Sequence, residues 1–226
     1  MNRKHFSVIS KFLIILFFSL IFFVSCSDTT PHISSLHKTL IYEFPSEDEE
    51  AQVKLSVFIN PSQDIRRAKT LEILHPETNF VWKIDNPQIY QDNKKYYFGC
   101  SALTVPTNFD FPEGLFELTY FDVADRSIKE NFEVNLLKSM SDNKEGFVKV
   151  ADVLSRKAGT ECTQKKIIIK DAVGKEIFFG LFSSLIDSDE KIMKLFPDAV
   201  TKQIYFSNSN NSVVILLPQE TIKTNK

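Results

Sequence analysis

Val53-Lys54-Leu55-Ser56-Val57-Phe58-Ile59 is the stretch that decides how this 226-residue chain folds. Val53, Leu55, Val57 and Ile59 occupy every second position, with Lys54 and Ser56 between them. Successive side chains of a strand point to opposite faces, so this period of two describes a strand with one buried face. The same period recurs downstream. Leu71 and Ile73 repeat it, and Phe80, Trp82 and Ile84 repeat it after the turn-forming His75-Pro76-Glu77-Thr78-Asn79. Phe116, Leu118 and Tyr120 alternate with Glu117 and Thr119, and beyond Asp122-Val123-Ala124-Asp125 come Ile128, Phe132, Val134 and Leu136. Adding Thr39–Phe44 and Lys95–Leu103 gives about seven strands in roughly 100 residues, the spacing of a β-sandwich. The pattern therefore predicts a mainly β protein, with an antiparallel β-sandwich over residues 38–138.

The second half reads differently. Ser139 to Gly146 is polar and reads as a linker. Phe147, Val150, Ala151 and Leu154 then fall at helical spacing, with Gly159 placed to stop the helix. Strands at Lys166–Lys170 and Glu176–Gly180 flank the hairpin signature Asp171-Ala172-Val173-Gly174-Lys175. Ser188-Asp189-Glu190 opens a short helix that ends near Phe196, before Pro197. Gln203–Phe206 and Val213–Leu217 are two further strands, joined by the polar run Ser207–Ser212. Residues 146–220 are thus expected to form a smaller α+β module.

Phe111-Pro112-Glu113-Gly114-Leu115-Phe116-Glu117-Leu118-Thr119-Tyr120-Phe121-Asp122 resembles the penultimate strand of immunoglobulin-like extracellular domains. In that family a Pro-x-Gly corner leads into alternating aromatic residues and a turn to the last strand. The resemblance implies an immunoglobulin-like sandwich. It implies no partner, because the paired cysteines of antibody-type domains are missing.

The N-terminus carries an address. Arg3, Lys4 and Lys11 precede the apolar run Phe12–Val24, and no acid occurs before Asp28. A positive region, a short apolar region and a small residue before a break are the parts of a secretory signal, here residues 1–25. A membrane-spanning helix needs about 20 apolar residues, more than this run supplies. Phe23-Val24-Ser25-Cys26 resembles the lipobox of bacterial lipoproteins, with Phe23 departing from the leucine usual at its position. The resemblance implies cleavage before Cys26 and a thioether-linked diacylglycerol on that cysteine, often with an N-acyl chain such as palmitate. Two or more acyl chains give stable anchoring. Ser27 lacks the aspartate that, in some such bacteria, keeps a lipoprotein at the inner membrane. The expected address is the cell membrane or, with that lean, the outer membrane, facing the periplasm or the surface. Residues 26–37 read as a lipidated tether.

Removing the leader leaves 24 basic against 29 acidic residues, a net charge of about −5. Nucleic acid wants a basic face, so it is not an expected partner. Two cysteines then remain, Cys100 and Cys162. An even pair in an oxidising compartment suggests one disulfide, while two separately buried thiols are the other reading.

Chemistry is sparse. The chain has no Gly-x-Gly-x-x-Gly, no Walker lysine loop, no Gly-x-Ser-x-Gly and no His-Glu-x-x-His. After the leader only His32, His37 and His75 remain, two of them in the expected tether and one in a turn. The acidic run Glu47-Asp48-Glu49-Glu50 has no glycine and no alternating ligand spacing, so it reads as a solvated loop rather than a calcium site. Asp187, Asp189 and Glu190 read as helix-start acids. Nothing calls for a catalytic residue, a metal or a cofactor. The feature that stands out is aromatic: Trp82, Tyr90, Tyr96, Tyr97 and Phe98. Three consecutive rings at 96–98 cannot all face one core. A contact surface around Tyr90–Tyr97, with Trp82 as a further member, is the expected site. The expected function is non-enzymatic binding of an envelope protein or glycan, or envelope structure, at a lipid-anchored position. The alternative is a carboxylate-based envelope glycan hydrolase, whose two acids have no spacing signature.

Overall fold

The computed structural model describes residues 32–62, 64–137, 150 and 162–223. The leader, Cys26, the linker 139–146 and most of the helix expected from Phe147 lie outside the described residues. Val150 alone of that helix is described, and it is helical and buried.

The chain is mainly β. Its strands are β1 (Ile33–Glu43), β2 (Gln52–Pro61), β3 (Ala68–His75), β4 (Phe80–Ile84), β5 (Gln88–Asp92), β6 (Lys95–Leu103), β7 (Gly114–Asp122) and β8 (Ser127–Val134). They continue with β9 (Gln164–Lys170), β10 (Glu176–Leu181), β11 (Thr201–Ser207), β12 (Val213–Leu216) and the two-residue β13 (Glu220–Thr221). Helix α1 (Asp189–Leu195) lies between β10 and β11, capped by the Ser188 hydroxyl on Lys191 N–H as its sequence suggested. Among the described residues no helix is long and apolar enough to cross a membrane.

Two sheets result. Nine strands form one sheet in the order β10-β9-β11-β12-β1-β2-β6-β5, with β13 beside β11. Four form the other, β4-β3-β7-β8. All pairings are antiparallel except β1 with β12, which align Leu40 with Val213 and Glu43 with Leu216 in parallel. Residues from beyond the expected boundary near 138 share the first core, since Val150, Cys162, Ile215 and Leu217 belong to it, and the large sheet runs on across that point. β12 continues directly onto β1. A first hydrophobic cluster draws Leu40, Leu55, Val57, Ile59 and Phe98 from the large sheet and Leu71, Ile73, Trp82, Phe116 and Leu118 from the small one. A second gathers Ile167, Ile169, Ile186, Ile192, Ala199 and Ile222.

Two differences from the sequence expectation concern the strands. β1 begins at Ile33, so residues 33–37 are strand rather than tether, paired with β2 from Pro61 back to Phe58. Ile33 and Leu36 pack on the first cluster, which rewards the pairing despite the polar residues around them. β5 is an additional strand. All five of its residues are exposed, so no alternation marks it.

The expected Cys100–Cys162 bridge is absent. Cys100 lies on β6 and Cys162 just before β9, strands five places apart in the sheet order. A disulfide needs Cα atoms within about 7 Å, while neighbouring strands are already about 4.8 Å apart.

The small sheet contains a buried polar centre. Tyr120 is fully buried, and its hydroxyl has no hydrogen-bond partner among the described residues. Burial, reinforced by the nearby Asp122 carboxylate, pushes the Tyr120 pKa up to about 12. An unpaired buried hydroxyl carries its desolvation cost without return. Tyr120→Phe is therefore expected to leave stability unchanged or raise it by about 1 kcal/mol, read as the urea midpoint. A clear loss of stability would show that the hydroxyl is satisfied in solution.

Candidate functional site

The β5–β6 hairpin decides the geometry of the expected contact surface. Its two-residue turn, Asn93-Lys94, has positive φ at both positions (46° and 66°), as a type I′ turn requires. The turn sets the register Asp92↔Lys95, Tyr90↔Tyr97 and Gln88↔Gly99. In a hairpin of this kind those pairs exchange the ladder hydrogen bonds. The N–H and C=O groups of Ile89 and Gln91 consequently point outward from the open edge of the large sheet. β5 is the last strand of that sheet, and nothing in the described residues pairs with its free side.

The rings divide between surface and interior. Tyr90 is 42% exposed and Ile89 54%, while Tyr97 and Trp82 are buried. Tyr90 stacks on Tyr97 with centroids 4.9 Å apart and planes 11° from parallel. Phe58 of β2 meets Tyr90 edge-on at 4.9 Å, and His37 of β1 meets Tyr97 edge-on at 5.1 Å. These four rings lie on the face of the large sheet opposite to Phe98, which enters the first cluster. Gly99 makes the arrangement possible. A Cβ there would lie 2.0 Å from the Val57 carbonyl and 2.8 Å from the Phe58 ring, so the Phe58 ring rests over bare backbone. Tyr90 is thereby held by Tyr97 and Phe58 and stays partly exposed. Partial burial, then Tyr97 and Asp92, raise its hydroxyl pKa, so it stays a neutral donor.

Tyr96 points the other way and is exposed. With Asn60, Asp64, Arg66, Lys94 and Lys95 it borders an open hollow of about 720 Å³. Arg66 is already engaged by the Asp64 carboxylate. Trp82 is no surface ring. It donates Nε1–H to the Thr104 carbonyl at 2.7 Å and packs among Phe80, Phe111 and Phe116. Strand alternation identifies such a ring as one-sided but does not say which side is core.

The histidines have structural surroundings. His75 is buried, and its Nε2–H donates to the Glu113 carbonyl at 2.8 Å. Its Nδ1 then accepts from the Thr78 hydroxyl at 2.8 Å, so both ring nitrogens are occupied. The ring ties the β3–β4 turn to the start of β7. His32 and His37 are not a pair: His37 sits on β1 against Tyr97, and His32 is held at Ser62 by backbone contacts. Among the described residues no three His, Cys, Asp or Glu side chains are grouped to hold a metal.

A third feature was not singled out from the sequence. Thr107-Asn108-Phe109-Asp110 projects between Pro106 and Pro112 at the opposite end of β1 from Ile33. It borders an open cleft of about 720 Å³ with Glu50 and Tyr42. The available signal was a large apolar ring, Phe109, inside a short polar turn.

No protein-family model matches the chain, and no curated protein and no solved structure is similar to it. The site geometry alone therefore carries the functional reading.

Proposed function

We propose that this chain is a lipid-anchored, non-enzymatic envelope protein that binds a protein partner along the open edge of β5. Its body is read as an immunoglobulin-like sandwich extended by the C-terminal strands. The observation that carries the reading is the fully exposed edge strand with a rigidly stacked tyrosine. Free backbone groups at Ile89 and Gln91 can take up an added strand, and Tyr90 on the outer face supplies the apolar anchor that concentrates binding energy.

The proposed anchor fits this surface. Six residue steps separate Cys26 from His32, a reach of about 20 Å. Ile33 pairs with Pro61, while Ile59 pairs with both Leu36 and Phe98, so the β5–β6 turn lies at the end of the sheet where the chain enters. The partner is thus sought close to the bilayer. The hydrolase alternative needs one acid of a facing pair kept protonated by its surroundings. Glu50 and Asp110 border one cleft, but both are exposed, so the geometry favours binding over hydrolysis.

Two substitutions test the reading separately. Cys26→Ser should release the protein from membranes or leave it unprocessed; unchanged fractionation and mobility would remove the anchor. Tyr90→Ala, in lipidated protein used for pull-down from detergent-solubilised envelope, should weaken a stoichiometric partner by at least about 30-fold, the effect of a 2 kcal/mol hot spot. Recovery of the same partner at the same yield would place the contact elsewhere.

A further inference from the structure

We infer that the cleft at the opposite end of β1 is a subsite for a neutral saccharide. The reading is independent of the anchor and of the β5 edge. Its floor is apolar, supplied by Ala51, Val53, Phe111 and Leu136, and its rim is polar. Phe109 stands at that rim 67% exposed, an unusual position for a phenyl ring with a core close by.

The ring is rigidly presented. Trp82 Nε1–H holds the Thr104 carbonyl, and Phe109 N–H returns to the Pro106 carbonyl at 3.1 Å. Asn108 adopts φ 71°, and Phe111 is buried against Trp82 at 5.8 Å. The loop is thus fastened on both sides of the exposed ring. Glu50, Thr107, Asn108 and Asp110 line the same cleft, and among the described residues none of their side chains makes a hydrogen bond or ion pair. Two carboxylates, an amide and a hydroxyl, all exposed, therefore border the opening without engagement by another described side chain.

Among the described residues no lysine, arginine or histidine lines the cleft, which disfavours an anionic ligand. A pyranose matches the whole set. Its C–H face can lie on the Phe109 ring, and its vicinal hydroxyls can donate to the carboxylates. The volume falls within the usual range for small-ligand sites and accommodates one or two sugar rings.

The test uses the chain from Ser27, without leader or lipidated cysteine, which retains the thirteen strands of the described residues and both hydrophobic clusters. Cellobiose and N,N′-diacetylchitobiose are titrated against the ¹⁵N-labelled protein, with spermidine as a cationic comparison. Saturable shifts confined to residues 107–110 and the neighbourhood of Glu50 are expected with at least one disaccharide. Phe109→Ala should weaken that binding at least tenfold and Asp110→Asn several-fold. Phe179→Ala, an exposed ring on β10, should leave it unchanged. Phe109 is mostly exposed, so its removal spares the core and the comparison remains interpretable. No saturable shift with either disaccharide, shifts with spermidine alone, or sugar binding indifferent to Phe109→Ala would each overturn the inference.

Discussion

Asp122→Ala is expected to destabilise the protein by about 3–5 kcal/mol, the cost of removing one partner from a buried ion pair. The carboxylate is fully buried at the end of β7. It accepts from Ala124 N–H at 2.8 Å and Arg126 N–H at 3.0 Å through one oxygen. Through the other it accepts from Arg126 Nε and Nη2 at 2.9 and 2.7 Å, with Arg67 a further 3.7 Å contact. The substitution would strand these donors and loosen the β7–β8 turn. Burial pushes the Asp122 pKa up, but the hydrogen bonds from Arg126 and Ala124 outweigh it and hold the carboxyl below its ordinary value of 3.8. A lowered folded pKa means that the stabilising contribution is present above 3.8 and is lost as pH falls through the folded value. The gap between the parent and Asp122→Ala in urea midpoints should therefore be full at neutral pH and narrow below 3.8. A gap that persists undiminished into strong acid would show that the contribution is packing rather than charge.

Gly99→Ala is the second large effect. A methyl group there would lie 2.0 Å from the Val57 carbonyl oxygen and 2.7 Å from Phe58 Cα, and backbone cannot yield as a side-chain tip can. β2 and β6 would have to separate, at a cost of at least about 3 kcal/mol, the upper part of the overpacking range. The change should also disturb Phe58 and free Tyr90 from its stack, lowering the near-ultraviolet tyrosine circular dichroism. Gly180→Ala is the comparison: its new methyl would meet mainly the end of the Phe178 ring, which can swing aside, so a far smaller loss is expected. Equal losses at the two glycines would refute this view of the β2–β6 contact.

The strands were legible wherever one face is buried and the other wet. Val53–Ile59 and Phe116–Tyr120 lie in β2 and β7, and the Ser188 cap and Asp171–Lys175 turn fall where their residue types indicate. β5 was not legible, because Gln88-Ile89-Tyr90-Gln91-Asp92 buries neither face. Nor was the parallel β1–β12 pairing, since nothing local to Leu40 names a partner at Val213. Within the site, the run 96–98 signalled that rings must leave the core, and Tyr96 does. Tyr97 is buried all the same, because Tyr90 and His37 cover it on the outer face, a contact between three strands that no single strand pattern contains.

The most direct measurement is photo-crosslinking in the envelope from the full lipidated chain, with a photoreactive residue in place of Ile89. One dominant protein adduct is expected, lost when Tyr90→Ala is added. A yield no higher than from the same probe at Val173, 86% exposed in the β9–β10 turn, would contradict a partner on the β5 edge.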